Sequence, residues 1–477
     1  MSLIKKLASQ TAIYGVSSIL GRFLFFLLVP LHVRIFTPTE YGAVTYFYSF
    51  VSFVAILLTY GMETAYFRFA AKDDNNPNVY STSLLSLLFT SALFLIIVWY
   101  NAPSIAALIK YPQYTQYVKW FAAILAVEAV TAIPFAHLRL QNKAWKFASV
   151  KLINILINVV LNLIFLIAFP KMGYYNDKIG IGYIFMANLI STLSTLVLLS
   201  PLLFKHRFKI DTELLKTMLK FSIPLMIAGL AGMINETFDR IALRYLLPST
   251  PLSENQMGIY GGCYKLAMLM TIFIQAYRFA AEPFFFGRQK EKDNLQLYSK
   301  SMNYFVAICC LTFIGINLFM DGFKLFLDER YWEGLFLVPI LLMANLFLGM
   351  YINFSMWFKL AGKTNYGIVF SFIGASLTIL GLITLVPLIG YGGAAWTTLF
   401  CYFTMAVSCL WIGQRKFPIP YNIKRIAFYI LISISLFGLN QLFFYELTPL
   451  NFIFKLLVIS GFAGWVFISE RAKKVVA

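Results

Sequence analysis

Charged residues are scarce in this chain, and no long polar stretch interrupts it. Asp, Glu, Lys and Arg make up 12% of the 477 residues and 60% are hydrophobic, whereas a soluble domain has roughly 25% charged residues. No connection between apolar stretches is long enough to fold as a soluble domain. The composition excludes a soluble globular protein, so any function has to be carried out within or beside a membrane.

Residues that catalyse reactions or bind metals are also few. The three histidines lie far apart, and no nucleophile elbow, phosphate loop or large outer loop with clustered Arg and Asp is present. The cysteines lie within apolar stretches without metal-type spacing: Cys263, Cys309, Cys310, Cys401 and Cys409. We therefore expect small core cysteines rather than disulfides, no resident cofactor or metal, and a protein that is not an enzyme.

Long apolar runs are what the chain has in abundance. A helix needs ~20 apolar residues to cross a hydrocarbon core of ~30 Å, and fourteen runs approach or exceed that length. They predict an all-α polytopic membrane protein with about fourteen transmembrane helices. The runs are 9–33, 42–65, 81–100, 117–137, 148–169, 181–203, 221–246, 258–281, 301–320, 335–358, 366–387, 391–412, 426–445 and 450–468.

The excess of positive charge follows the membrane topology. Of the 39 Lys and Arg residues, 26 lie in segments on the side of the N-terminus, 8 lie on the opposite side and 5 lie inside spans, and the net charge is +19. Cytoplasmic loops carry such an excess of Lys and Arg. The distribution predicts that both termini are cytoplasmic, and it makes nucleic acid an unnecessary explanation of the charge.

The chain repeats itself. Residues 34–38 read Arg-Ile-Phe-Thr-Pro and residues 244–248, which begin 210 positions later, read Arg-Tyr-Leu-Leu-Pro; a Tyr-Gly pair follows each. Repeats of this length in apolar sequence are typical of transporters built from two bundles. We expect two pseudo-symmetric six-helix lobes and two additional C-terminal helices. The boundaries are 1–203 for the N-lobe, 204–220 for an amphipathic cytoplasmic linker, 221–413 for the C-lobe and 414–477 for the C-terminal pair.

Several charged residues interrupt the predicted spans. Each costs at least ~2.5 kcal/mol in hydrocarbon unless it faces water or a partner, so it marks a transport path by default. Arg22, Lys265 and Arg278 are the candidate cations, with Glu63 and Gln275 beside them as candidate polar contacts. Ion pairs that join helices are the alternative role, for example Arg22 with Glu63 in the second span. Lys455 is predicted to lie near an interface.

Span seven holds the densest polar group, with Asn235, Glu236, Asp239 and Arg240 within six residues. A spacing of four places Glu236 and Arg240 on the same side of a helix. One interpretation is a structural ion pair. The other is a carboxylate, Glu236 or Asp239, that binds a proton or Na⁺ and releases it when the bundle rearranges.

Three asparagines follow one another at helical spacing in span five: Asn154, Asn158 and Asn162. Side-chain amides at this spacing favour hydrogen bonds between helices. A wall that contacts sugar hydroxyls is the alternative.

Three phrases resemble the polysaccharide flippase branch of the multidrug/oligosaccharidyl-lipid/polysaccharide exporter superfamily. They are Leu-His-Val-Arg-Ile-Phe-Thr-Pro-Thr-Glu-Tyr-Gly at 31–42, Asp239-Arg240, and Tyr-Arg-Phe-Ala-Ala-Glu-Pro-Phe-Phe-Phe-Gly-Arg-Gln-Lys at 277–290. The resemblance implies two lobes around a cationic cavity and a location in the bacterial cytoplasmic membrane. It also implies movement of a polyprenyl-diphosphate-linked oligosaccharide from the inner to the outer leaflet.

We therefore expect a lipid-linked oligosaccharide flippase that works by alternating access and serves surface polysaccharide synthesis. A lipid II flippase, a cation-coupled multidrug exporter and a membrane glycosyltransferase or polymerase are the alternatives. The expected partners are the lipid-linked glycan and membrane lipids. The identity of the glycan, the coupling ion (Na⁺ or H⁺) and the oligomeric state stay open.

Overall fold

Fourteen helices long and apolar enough to cross a membrane make up most of the computed structural model. The model describes residues 3–71, 77–204, 209–248, 250–287, 294–443 and 448–471, and these contain no strand. The prediction of an all-α protein with fourteen spans is confirmed, and each observed span overlaps the predicted one. The spans, numbered 1 to 14 below, are Tyr14–Ile35, Pro38–Ala70, Asn78–Leu108, Pro112–Leu140, Ala144–Met172, Gly182–Leu203, Thr212–Leu246, Pro251–Glu282, Leu295–Leu318, Leu337–Leu360, Asn365–Ile389, Tyr391–Lys416, Ile423–Phe443 and Pro449–Glu470.

Several spans are interrupted helices. Span 1 consists of helices Leu3–Leu27 and Val29–Ile35, because Pro30 has no N–H group to donate to the preceding turn. Span 2 is divided into helices Pro38–Thr59 and Met62–Ala70, and span 10 into helices Leu337–Phe354 and Met356–Leu360. In span 5, a π-helical turn at Ile164–Ala168 separates helix Ala144–Leu163 from helix Phe169–Met172. Short 3₁₀ turns lie at Pro112–Tyr114, Lys324–Phe326 and Glu329–Gly334.

Span 2 bends at two residues in the left-handed region. Tyr60 has φ 35° and Gly61 has φ 70°, and a Cβ atom on Gly61 would lie 2.8 Å from the main-chain oxygen of Ser222 in span 7. Glycine is therefore required twice here, once by its φ angle and once by the close approach of span 7. The bend allows helix Met62–Ala70 to pack against the beginning of span 7, where the Arg68 guanidinium lies 4.1 Å from the centre of the Phe221 ring.

Substitution of Gly61 by alanine should lower the free energy of unfolding by about 1 to 3 kcal/mol, because it adds a strained φ and a steric overlap. Gly232, in the middle of span 7, is the matched control, since a Cβ atom there would meet nothing within 4 Å. Gly232→Ala should be neutral or slightly stabilising because alanine has the higher helix propensity. Unfolding of the two variants in mixed micelles measures the difference. Equal stabilities would contradict this account of the bend.

The helices group into two compact units. The first comprises Met1–Phe36 and Ala43–Ile241, and the second comprises Thr37–Gly42 and Ala242–Ala477. The units thus divide within span 7, whereas the sequence repeat begins its second copy ahead of that span. The lobe boundaries drawn from the repeat stay a prediction.

Span 7 also includes residues that the sequence assigns to a separate surface helix over 204–220. Residues 212–220 form the first turns of the continuous helix Thr212–Leu246, and 205–208 lie outside the described residues. The Asp211 carboxylate caps this helix by accepting the Leu214 N–H at 3.0 Å. Because a cap at Asp211 starts the helix directly, the basic residues 216 and 220 belong to the membrane helix itself.

The first Tyr-Gly phrase of the repeat serves close packing within the second unit. A Cβ atom on Gly42 would overlap the main-chain oxygen of Glu254, and one on Gly258 would overlap that of Pro38. The Tyr41 ring packs edge-on against Tyr331, with 6.1 Å between ring centres. Small residues at a helix crossing let two backbones touch, which explains why glycine stands at these positions.

Candidate functional site

In the first unit, the polar candidate in span 1 is exposed. Arg22 lies within helix Leu3–Leu27, and its side chain is accessible rather than packed against other helices. No carboxylate in the described part of the chain forms an ion pair with it. An arginine at mid-helix is costly in contact with lipid tails. Arg22 is therefore stable where water or an anionic ligand reaches it.

Glu63 pairs with Arg139 of span 4 rather than with Arg22. The Arg139 Nη1 atom lies 2.7 Å from Glu63 Oε1, and the side chains are 45% and 42% exposed. The Arg139 guanidinium also lies 4.8 Å from the centre of the Phe67 ring. Lys151 of span 5 lies within electrostatic range of both Glu63 and Glu128. Spans 2, 4 and 5 thus share an exposed cluster of charges in which Arg139 and Lys151 supply the cations.

The asparagine stripe of span 5 joins helices. Asn154 Nδ2 donates to the Ser191 main-chain oxygen at 2.7 Å, and Asn158 Nδ2 donates to the Ser191 hydroxyl at 3.3 Å. Asn162 Oδ1 lies 2.9 Å from His32 Nε2, and both residues are buried. The interpretation as hydrogen bonds between helices is confirmed for spans 1, 5 and 6, and these amide groups are not available to a sugar.

The polar group of span 7 divides into a buried pair and an exposed carboxylate. Asp239 Oδ1 lies 3.3 Å from Arg240 Nη1, and the two side chains are only 5% and 9% exposed. Arg240 Nη1 also donates to the main-chain oxygen of Glu236 at 2.6 Å, while the Glu236 residue itself is exposed. Each of the two proposed roles thus suits a different residue. Asp239 has the surroundings of a structural ion pair, and Glu236 is accessible, as a site that exchanges ions has to be.

In the second unit, three charged side chains meet near the end of span 8. Arg278 Nε lies 3.2 Å from Glu282 Oε1, and Lys359 Nζ of span 10 lies 2.6 Å from the same oxygen. Arg278 is 45% exposed and the other two are partly buried. The cluster has two cations for one carboxylate, so it keeps a net positive charge and an accessible guanidinium that can bind an anion.

The residue before Arg278, Tyr277, uses its hydroxyl group in hydrogen bonds within the protein. Tyr277 donates to Asn353 Oδ1 at 2.8 Å and lies 2.7 Å from the Ser301 hydroxyl, whereas Gln275 is partly exposed. Tyr277 therefore fixes span 8 against spans 9 and 10. This contact holds the neighbouring Arg278 in place on a rigid helix.

Lys265 and Arg278 lie far apart on one straight element. Both belong to the continuous helix Thr250–Gly287, and thirteen residues at 1.5 Å each separate them by about 20 Å along the axis. Lys265 is partly buried and has contacts of its own in the structure. The two cations therefore cannot bind the same phosphate group at the same time.

Three cations of these clusters lie within observed spans, namely Arg139, Lys151 and Lys359. The apolar runs 117–137 and 335–358 end just before Arg139 and Lys359, whereas Lys151 lies inside the run 148–169. Each of the three lies near a glutamate of another span: Arg139 pairs with Glu63, Lys359 pairs with Glu282, and Lys151 is within electrostatic range of Glu63 and Glu128. These pairings become visible only when the packing of the spans is known.

The cysteines behave as expected, since all five are buried and free. Among the described residues, no group of three His, Cys, Asp or Glu side chains lies close enough to hold a metal ion.

Comparisons with known proteins agree on a family and on a fold. A family model described as "Polysaccharide biosynthesis protein" matches residues 31–322. "Lsg locus putative protein 1" of Haemophilus influenzae is 24% identical over 362 residues, which are 71% of this chain and 84% of that relative. The solved structure "Lipid II flippase MurJ, inward closed conformation" matches with a TM-score of 0.76 at 12% identity, covering 96% of this chain and 99% of that chain.

A second solved structure widens the likeness. An inward-facing multidrug resistance MATE family transporter of the MOP superfamily matches with a TM-score of 0.64 at 15% identity, covering 86% of this chain and 96% of that chain. At these identities the two structures establish a shared fold, which extends over nearly all of this chain.

Proposed function

Because the chain belongs to the family of polysaccharide biosynthesis proteins, we propose that it moves a polyprenyl-diphosphate-linked oligosaccharide from the inner to the outer leaflet of the bacterial cytoplasmic membrane. Family membership carries the proposal, together with the fourteen candidate membrane spans of the described residues. A protein whose described residues lie mostly in membrane spans contributes to polysaccharide synthesis by handling a substrate within the bilayer. The protein is then a transporter and not an enzyme, with both termini in the cytoplasm.

The exposed guanidinium groups recognise the diphosphate. A diphosphate is anionic, and the planar fork of arginine binds its oxygens in pairs. Arg22 in the first unit and Arg278 in the second are accessible for such contacts. Glu282 and Lys359 orient Arg278, while Glu63 and Gln275 offer polar contacts to the sugar hydroxyls.

Lys265 acts at a different stage of transport from Arg278. The separation of about 20 Å along one helix suits two successive positions of the phosphate, first near the end of span 8 at Arg278 and then near its middle at Lys265. Alternating access between an inner and an outer opening supplies the movement.

Glu236 is the carboxylate that we assign to ion coupling. It is exposed on span 7, whereas the buried Asp239 is neutralised by the Arg240 guanidinium. A proton or Na⁺ binds there and leaves when span 7 changes its surroundings. Asp239 instead holds Arg240 in a buried pair and keeps span 7 intact.

Lipid II is the second candidate substrate, because the flippase fold matches over 96% of this chain. Competition between substrates in proteoliposomes distinguishes the candidates. Transport of a fluorescent undecaprenyl-diphosphate oligosaccharide should be inhibited by its unlabelled form, and much less by lipid II or by an amphiphilic cation. Stronger inhibition by lipid II would assign the protein to peptidoglycan precursors, and inhibition by the cation alone would assign it to drug export.

A further inference from the structure

A large cavity lies within the second unit, away from the charged candidates of span 8. Its volume is about 920 Å³, and its walls come from spans 9, 10, 12, 13 and 14 and from the connection 319–336. Span 12 packs on span 10, and span 13 packs on span 9, so the cavity lies between these two helix pairs. A cavity of this size accommodates a lipid-sized ligand.

Most of the cavity wall is apolar and suits a hydrocarbon chain, and many of its residues are aromatic. Representative members are Phe313, Phe347, Trp396, Phe403 and Phe437. The rim is formed in part by lipid-facing side chains, since Phe400 is 56% and Ile434 is 44% exposed. An acyl chain can therefore enter sideways from the bilayer without crossing a polar barrier.

One end of the cavity is polar and incompletely satisfied. Lys455 of span 14 lines the cavity and is 1% exposed. Its position near a membrane interface stays a prediction. No carboxylate in the described part of the chain lies within ion-pair distance of it. Asp321, which also lines the cavity, acts electrostatically on Lys455 but is paired with Lys324 at 2.7 Å. A buried ammonium group requires an anion close by.

Two buried amides at the same cavity also have unused hydrogen-bonding capacity. The Oδ1 atoms of Asn317 and Asn440 are buried and accept no hydrogen bond, although both residues line the cavity. Buried carbonyl oxygens are normally paired with a donor. At this end of the cavity, which Glu333 also lines, the two ammonium groups of Lys324 and Lys455 share the Asp321 carboxylate, and two amide oxygens lack donors.

We propose that the cavity binds one anionic phospholipid of the leaflet that the charge distribution predicts to be the outer one. The acyl chain lies along the aromatic walls, the phosphate oxygens accept hydrogen bonds from Lys455, and head-group hydroxyls donate to Asn317 and Asn440. Phosphatidylglycerol has all three features. This lipid site is separate from the transported substrate and adds a binding site to the proposed function.

Native mass spectrometry of the full chain in a neutral detergent tests the proposal. The protein should retain one phosphatidylglycerol at least about tenfold more strongly than phosphatidylethanolamine, because a charge-assisted contact favours the anionic lipid. Lys455→Met should abolish this preference and Lys455→Arg should keep it. Lys119→Met is the matched control, since Lys119 is a lysine beside a tryptophan in the first unit and its loss should change nothing.

Thermal unfolding separates loss of binding from loss of folding. Without added lipid, Lys455→Met should unfold at the same temperature as the wild type or higher, because it removes an unpaired buried charge. Phosphatidylglycerol should raise the unfolding temperature of the wild type. The Ile340→Trp variant, whose larger side chain fills the cavity, should lose that response. Equal retention of both lipids, or an unchanged preference in Lys455→Met, would overturn the proposal. A response to inorganic phosphate alone would also overturn it, and none of these outcomes depends on transport.

Discussion

Replacement of Asp239 by alanine should lower the free energy of unfolding by about 3 to 5 kcal/mol, because it breaks a buried ion pair from one side. Asp239 and Arg240 are 5% and 9% exposed, and their charged atoms lie 3.3 Å apart. The carboxylate also accepts the Arg240 main-chain N–H at 2.8 Å. The variant leaves the guanidinium group buried after its carboxylate has gone, and unfolding in mixed micelles measures the cost.

Two further variants show whether the ion pair itself is responsible. Replacement of both residues by apolar ones, Asp239→Leu with Arg240→Met, should recover most of the lost stability, since a buried pair contributes little relative to a packed apolar pair. Glu236→Gln should leave stability nearly unchanged, because this side chain is exposed, while transport loses its response to an imposed ion gradient. A destabilised Glu236→Gln beside a stable Asp239→Ala would reverse the two assigned roles.

Replacement of Arg278 by alanine should slow transport at least about tenfold, since hydrogen bonds to charged groups contribute roughly 1.5 to 3 kcal/mol each. The fold should survive. Arg278 is 45% exposed, and Lys359 still holds Glu282 at 2.6 Å after the arginine has gone, so little stability is lost. Initial transport rates in proteoliposomes, normalised to the amount of folded protein, measure the effect.

Arg425 provides the matched control for Arg278. It lies at the start of span 13 and pairs with Glu470 of span 14 at 3.0 Å, so Arg425→Ala removes an ion pair in which neither Arg278 nor Glu282 takes part. Arg425→Ala should transport at nearly the wild-type rate, whereas Arg22→Ala should resemble Arg278→Ala. Equal rates in the Arg278→Ala, Arg22→Ala and Arg425→Ala variants would remove the guanidinium groups from the mechanism.

The spans could be predicted from sequence because one physical requirement dominates them. A segment that crosses hydrocarbon has to be long, apolar and helical, and runs such as 83–99, which contain no charge, satisfy this by themselves. The interruption at Pro30 is likewise local, because the missing N–H group lies in the residue itself. The bend at Gly61 is not determined locally, since it depends on the approach of Ser222 from another span.

The candidate site could be predicted only in part, because contacts between spans are not determined by the sequence of one span. Arg22, Arg278 and Glu236 stand out as charges within apolar runs, and all three are exposed. Lys359 directly follows the apolar run 335–358, and only the packing of span 10 against span 8 brings it to Glu282. Asp239 and Glu236 look equivalent by spacing, and burial alone distinguishes them.

The rate at which a labelled undecaprenyl-diphosphate oligosaccharide changes leaflet in proteoliposomes tests the central claim most directly. Vesicles that contain the wild-type protein should expose the labelled lipid to a membrane-impermeant quencher on the opposite side much faster than protein-free vesicles of the same composition. Rates that are equal with and without protein, for a sample shown to be folded and inserted, would contradict the proposal that this chain is a flippase for lipid-linked oligosaccharides.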